Sequence, residues 1–254
     1  TSISIMKRLL TRLKKLSITL KLKTVDSVTL QSLSGLCRIY IITQPKRLNI
    51  MEQIIQVLKL TKHTDTGKLA GFRSLNTSVE KNTFCTKMRA QDSICKSCYA
   101  ANMENAYKGL RVNIQANGDM LASRVLDTHE LPRINELVFR FHSTGELMNE
   151  THMINFINIA LDNPRTRFVL WTKRKDIVNK ALAKRSLPDN FKLIFSNAKV
   201  DSKDIKLPKH FTKIFSVYSK KNPTEAKINC HSKCQDCMRC YTDNSITHIR
   251  ELIK

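Results

Sequence analysis

Residues 137–171 read LVFRFHSTGELMNETHMINFINIALDNPRTRFVLW, and this stretch decides the fold. It opens on one β-rich run, Leu137-Val138-Phe139-Arg140-Phe141, and closes on another, Arg167-Phe168-Val169-Leu170-Trp171. Between them Asn149 is placed to cap a helix reaching Leu161, and Asn163-Pro164 marks the turn back. Strand, helix and strand at this spacing form a right-handed βαβ crossover, whose two strands lie parallel.

The alternation continues downstream, with a helix expected over residues 175–185, a turn at Pro188-Asp189, and strands over 191–195 and 213–218. Upstream, Ala, Met, Leu and Val recur every three or four residues from 99 to 127, which predicts one or two helices. Gly109 and the Asn117-Gly118 pair are the candidate breaks there. Residues 51–60 suggest a short strand or helix, the Thr- and Lys-rich residues 61–76 read as loop, and residues 84–98 show no clear period. The fold class is therefore α/β. Four or five strands can be counted, which predicts a partial (β/α) barrel or an open, mainly parallel sheet, followed by a Cys-rich metal loop over residues 229–241.

In parallel α/β folds the functional groups gather where loops leave the C-terminal ends of the strands. Those ends carry Arg140, His142 and Glu146, then Thr172, Lys173 and Arg174, then Ser196 and Asn197, then Ser216 and Tyr218. Arg140, His142 and Lys173 are the candidate catalytic groups, and Thr172 and Ser196 candidate cofactor contacts.

Seven of the eight cysteines fall into two groups, and only Cys37 stands apart. Cys230, Cys234, Cys237 and Cys240 place four thiols within eleven residues, enough for one loop to wrap a single centre. Tetrahedral zinc and a [4Fe-4S] cluster both accept four thiolates on such spacing. Cys85, Cys95 and Cys98 offer three, which either leaves one metal position open or calls for a fourth ligand, with His63, His142 and His231 available. A disulfide framework is the rival reading, but it goes with short, loop-rich secreted chains, and this one has 254 residues. The expected setting is a reducing cytoplasm.

The formal charge of +23 is unevenly spread. Residues 1–50 hold ten Lys and Arg against the single acid Asp26, and residues 51–254 hold 34 against 20. Such an excess favours nucleic acid as a partner, through counterion release. No run of about 18 apolar residues is present, so no membrane span is expected. Residues 1–50 read as a basic extension outside the native fold, and residues 51–254 as a single α/β metal-binding domain. A basic amphipathic arm over residues 6–23, with Leu9, Leu10, Leu13 and Leu16 on one face, is the functional alternative for the extension.

Four segments together resemble a phage family called gene product eighty-eight, over about residues 75–245. They are Ser93-Ile94-Cys95-Lys96-Ser97-Cys98-Tyr99-Ala100, Phe139-Arg140-Phe141-His142-Ser143-Thr144-Gly145-Glu146-Leu147, Phe168-Val169-Leu170-Trp171-Thr172-Lys173, and the closing Cys-rich loop. The chain also resembles other phage families with a Cys-x2-Cys-Tyr-Ala segment, which are similar to radical S-adenosylmethionine proteins. That resemblance implies a [4Fe-4S] cluster on Cys85, Cys95 and Cys98 whose free iron chelates S-adenosylmethionine. It also implies that Gly145 and Glu146 meet the amino group of that cofactor, with Thr144 in place of the first glycine of the family's Gly-Gly-Glu turn. Cys230-x3-Cys234-x2-Cys237 matches the family's cysteine spacing too. In those enzymes, however, the motif opens the barrel, whereas here it follows the strands, so it reads as an auxiliary or structural centre. The resemblance implies an iron-sulfur protein of phage or mobile-element type, set in the host cytoplasm and acting on a small-molecule or macromolecular substrate. A zinc-stabilised nucleic-acid-binding protein is the alternative function.

If the basic extension lies outside the fold, a chain shortened to begin at Met51 is expected to keep its metal content and its circular dichroism spectrum. Loss of either on truncation would place those residues inside the folded unit.

Overall fold

Seven strands lie side by side in chain order, and all neighbours but the first pair run parallel. The computed structural model describes residues 57–221 and 227–253. The basic extension, the arm over residues 6–23 and Cys37 lie outside the described residues, as does most of the short element expected over 51–60.

The sheet begins with β1 (Leu60–Lys62) and β2 (Arg73–Leu75), an antiparallel pair with Leu60 opposite Leu75. This hairpin corrects the expectation of a loop over residues 61–76. Strands of three residues are too short for an alternating pattern to register, and the pair is held by its neighbours rather than by its own composition.

Three helices then cross from β2 to β3: α1 (Thr83–Arg89), α2 (Tyr99–Ala106) and α3 (Lys108–Ser123), with a 3-10 turn at Ile94–Ser97 before α2. The break between α2 and α3 falls at Tyr107, whose extended backbone (φ −117°, ψ 96°) ends one helix and opens the next. The expected breaks at Gly109 and Asn117-Gly118 are instead inside α3. Their residue types answer to tertiary contacts. The Asn117 amide donates to the carbonyls of Lys59 and Asn76, both at 2.9 Å. A Cβ on Gly118 would lie 3.3 Å from the Met148 sulfur, so glycine lets the helix sit close to its neighbour.

From β3 (Val138–Phe141) the expected alternation holds: α4 (Glu150–Asp162), β4 (Arg167–Thr172), α5 (Lys175–Leu182), β5 (Phe191–Ser196) and β6 (Lys213–Tyr218). Asn149 caps α4 as its position predicts, its side chain accepting the His152 amide at 3.0 Å. After β6 come the short α6 (Cys234–Cys237) and β7 (His248–Leu252), which pairs with β6. Each new parallel strand lands beside the previous one, the strand order of a barrel. Among the described residues the sheet has seven strands, with β1 and β7 as its ends, against the four or five expected.

Residues alternate between the two faces. One face sends Phe139, Phe141, Phe168, Leu170, Phe191 and Leu193 into the main core, against Phe156 and Ile159 of α4 and Val178 and Ala181 of α5. The Phe141 ring stacks 4.0 Å from Phe156 and 5.0 Å from Phe168. The other face carries Val169, Trp171 and Ile194, covered by Phe72 and by Cys234, Met238, Cys240 and Tyr241 of the Cys-rich loop. Strand β4 is consequently buried along nearly its whole length, which explains its unbroken apolar run.

Since Phe141 meets four other rings in a fully buried layer, Phe141→Ala is expected to lower unfolding free energy by about 3–5 kcal/mol, read from the denaturant midpoint. A loss below about 1 kcal/mol would mean that this layer collapses around the cavity.

Candidate metal centres

The three-cysteine set is assembled by short elements pinned to the strand ends. Asn82 caps α1 by accepting the Phe84 amide at 3.0 Å, and its amide donates to the Glu146 carbonyl at 2.9 Å. This anchors Cys85, in the first turn of α1, to the loop after β3. Ser93 accepts the Cys95 amide at 3.1 Å, while the Ile94 N–H donates to Ala198 O at 2.9 Å, beyond the end of β5. Cys98 is the N-cap of α2. The Cys85 thiol is pushed up to about 12, first by burial, then by the Glu146 carboxylate and by Cys95, with Lys173 opposing. Cys98 adds to the same field. The three sulfurs therefore share one electrostatic neighbourhood, in which bare thiolates repel and a bound cation reverses the balance.

The four-cysteine set behaves alike. Cys234 and Cys237 bound the single turn of α6, and Met238 in a left-handed conformation (φ 51°) turns the chain back toward Cys240. Burial pushes Cys240 up to about 12, helped by Cys230, Cys234 and Cys237 and opposed by the Arg140 guanidinium. The loop is tied down through its backbone, with the Cys234 N–H donating to Lys68 O at 2.8 Å and the Cys230 N–H to Arg250 O at 3.1 Å. Lys68 also pairs with Glu251.

Four thiolates on one tetrahedral zinc ion stand about 3.8 Å apart, from the roughly 2.3 Å zinc–sulfur bond. Among the described residues no three cysteine sulfurs lie within 4.8 Å of one another. The group that does meet that distance, Asp127, His129 and Glu130, is engaged locally: Asp127 and Glu130 form a capping box, and Arg124 clamps the Glu130 carboxylate.

The strand-end residues divide into two kinds. Glu146 is buried, its Oε1 accepting from the Leu147 N–H (2.8 Å) and the Thr172 hydroxyl (2.5 Å), and its Oε2 from the Lys173 N–H (2.8 Å). Thr172 also accepts the Arg174 amide at 3.0 Å, so it serves the turn after β4. Gly145 has φ +108°, and a Cβ there would lie 2.3 Å from the Thr77 hydroxyl, so backbone conformation and packing both require glycine. Lys173 reaches the Ser196 hydroxyl at 3.2 Å and lies in the field of Cys85. Arg140 points to the second sheet face, 3.9 Å over the Trp171 ring, with its Nε donating to His142 O at 3.3 Å. Its guanidinium lies in the field of Tyr241, Tyr99 and Cys234.

His142 does not join them at the mouth. It is buried with φ 58°, its Nε2 is 3.2 Å from the Thr77 hydroxyl, and its ring meets His152 and Phe156 edge-on. Burial, then the neighbouring His152 and Arg140, hold its pKa well below the ordinary value, so it is neutral. Of the proposed fourth ligands, His63 bonds to the Ser74 hydroxyl at 2.8 Å, His142 to Thr77, and His231 is exposed. Sequence reasoning missed Asn76, whose Oδ1 accepts from the Ser143 N–H, the Ser143 hydroxyl and the Thr144 N–H, knotting the β2 and β3 ends together. The signal was the polar run Asn76-Thr77-Ser78, which marks a strand end once β2 is recognised.

A singly wound, mainly parallel α/β sheet with one cysteine set at its strand ends and another against its second face defines the class of this protein. Residues 53–252 match the family model described as Gene product 88, and the chain belongs to that phage gene product family. No curated protein and no solved structure matches the chain. Among the described residues no helix is long and apolar enough to cross a membrane.

The buried histidines give this region an acid sensitivity of definite sign. Burial pushes His152 down to about 3, against an ordinary 6.5. The unfolded chain thus binds a proton between those values that the native protein does not, and stability present above pH 6.5 is lost as pH falls through that window. Thermal midpoints measured from about pH 7 to about pH 5 should fall, and His152→Leu should flatten the slope. An unchanged slope in the variant would assign the acid sensitivity to other groups.

Proposed function

We propose that the chain is an iron-sulfur protein in which Cys85, Cys95 and Cys98 hold a [4Fe-4S] cluster with one coordination position left to a non-protein ligand, S-adenosylmethionine fitting best. The observation that carries this reading is the placement of three thiols, in one electrostatic neighbourhood, beside Glu146, Lys173 and Ser196 at the C-terminal ends of parallel strands. The donor set fits the group in its chemistry: soft thiolates are the ligands that iron-sulfur clusters take.

When bound, a cluster with an open iron supplies one-electron reduction to a sulfonium ligand. The chain's own residues supply position and charge. Lys173 offsets the negative thiolates and is steadied by Ser196. An ionised carboxylate offers about four lone-pair positions, of which three on Glu146 are filled, leaving acceptor capacity for an amino group. His142, buried and neutral, acts through packing. The four-cysteine set closes its own coordination shell and serves as a second cluster or a zinc site that shapes the loop.

Protein purified without oxygen is expected to show broad visible absorption with iron and sulfide present, whereas colourless protein containing zinc alone would overturn the cluster reading. Single substitutions separate the two sets. Cys98→Ala should remove the three-cysteine centre and leave the sheet folded, because the helices behind it bury their apolar faces without metal. Cys237→Ala should lower the thermal midpoint, because the loop it shapes covers Trp171 and Ile194. If instead Cys237→Ala alone abolishes S-adenosylmethionine binding, the open and closed roles are reversed.

A further inference from the structure

The pattern of α2 is inverted. Its small residues Ala100 and Ala101 and the acid Glu104 face inward, at 6, 6 and 0 % exposure, while Tyr99, Met103 and Tyr107 stand outward at 61, 39 and 62 %. These three are four residues apart and form one stripe along the helix. An amphipathic helix in a protein of this kind buries its large apolar residues, and here the large ones are the ones left without cover.

Along the segment that carries the stripe, residues 93–111, the exposed charge is basic. From residue 93 to 111 the basic residues are Lys96, Lys108 and Arg111, and the lone acid is Glu104. That carboxylate is engaged inside, accepting from the Ser78 hydroxyl, the Val79 N–H at 2.9 Å and the Glu80 N–H at 3.3 Å, so it adds no negative charge to the outer face. Lys96 and Lys108 are both exposed. The Tyr99 hydroxyl donates to Ser143 O at 2.7 Å, which holds the ring in place at the edge of the mouth, one residue from Cys98.

We propose that the outer face of α2 is a docking platform for single-stranded nucleic acid, with Tyr107, Met103 and Tyr99 as stacking surfaces and Lys96, Lys108 and Arg111 as phosphate contacts. Base–aromatic stacking beside a basic track is how single strands are held without sequence preference. Tyr99 and Tyr107 are about 12 Å apart along the helix, a span of several nucleotides at the roughly 3.4 Å spacing of stacked bases. A second copy of the chain is disfavoured by its own charge of +23. An acidic protein would satisfy the lysines and leave the tyrosine spacing without a use. A strand lying on this face runs toward the three-cysteine mouth, yet the proposal stands on exposure, charge and spacing, and holds whatever metal that mouth carries.

The test is binding of the full chain to a short labelled oligothymidine, followed by fluorescence anisotropy over a range of salt. Tyr107→Ala is expected to weaken binding on the order of tenfold without changing the slope against salt, and Tyr107→Trp to restore it. Lys108→Gln should instead reduce that slope by about 0.7, one phosphate contact on a single strand. Metal content and thermal midpoint should match the parent in all three variants, which separates failure here from failure of the cluster reading. The proposal is overturned if Tyr107→Ala leaves oligothymidine affinity unchanged, or if polyglutamate binds as tightly with the same dependence on Tyr107. It is equally overturned if sedimentation shows a dimer that Tyr107→Ala dissolves.

Discussion

A parallel sheet is apolar on both faces and must be covered on both. That requirement organises the molecule. Helices α3, α4 and α5 cover one face in the ordinary way, with a layer of phenylalanines interleaved between strands and helices. The opposite face receives no helix of comparable length among the described residues. It is covered by Phe72 of the β1–β2 hairpin and by the loop between β6 and β7, whose contribution is one tyrosine, one methionine and the sides of two cysteines. A loop with so few apolar side chains gains little from burial alone. Its backbone ties to Lys68 and Arg250, together with the Arg167 contact to the Tyr241 carbonyl at 3.1 Å, register it on the strands. Metal–thiolate bonds are the interaction its sequence provides in abundance, and on the reading proposed above they complete the cover.

The strand ends show a similar economy. One carboxylate, Glu146, links the loop after β3 to the turn after β4, and one amide, Asn76, links β2 to β3. These two groups hold neighbouring strand ends in register where the ladder hydrogen bonds stop. Because Glu146 fixes the Lys173 backbone, the ammonium group beside Cys85 is placed by a residue on a different strand, and the three-cysteine neighbourhood inherits the rigidity of the sheet. A positively charged side chain on a loose loop would not hold that position.

Much of this was legible in the residues. The βαβ unit at 137–171, the Asn149 cap and the β6 boundaries all follow from local periodicity and capping chemistry, which depend on near neighbours. What escaped depends on partners far along the chain. The hairpin strands β1 and β2 are too short to carry a period, and β7 pairs with a strand some 30 residues earlier. Asn117-Gly118 looked like a turn because nothing local reveals that the amide bonds to Lys59 and Asn76, or that the glycine admits Met148. His142 follows a strand end, a position that predicts a side chain facing the mouth, but its left-handed backbone turns the ring into the layer of His152 and Phe156. The grouping of the cysteines was plain from spacing. That Arg140 would lie in the field of Cys234 and Cys240 was not, since that group reaches it only by folding back across the sheet.

The position of the Cys-rich loop in the chain also sets an order of events during synthesis. Strands β3 to β6 leave the ribosome before the loop that covers their second face, so Val169, Trp171 and Ile194 wait in water until residues 230–241 have emerged. Exposed apolar strands are the species on which nascent chains associate. In a cell, the interval before the last cysteines arrive is therefore the period of greatest vulnerability.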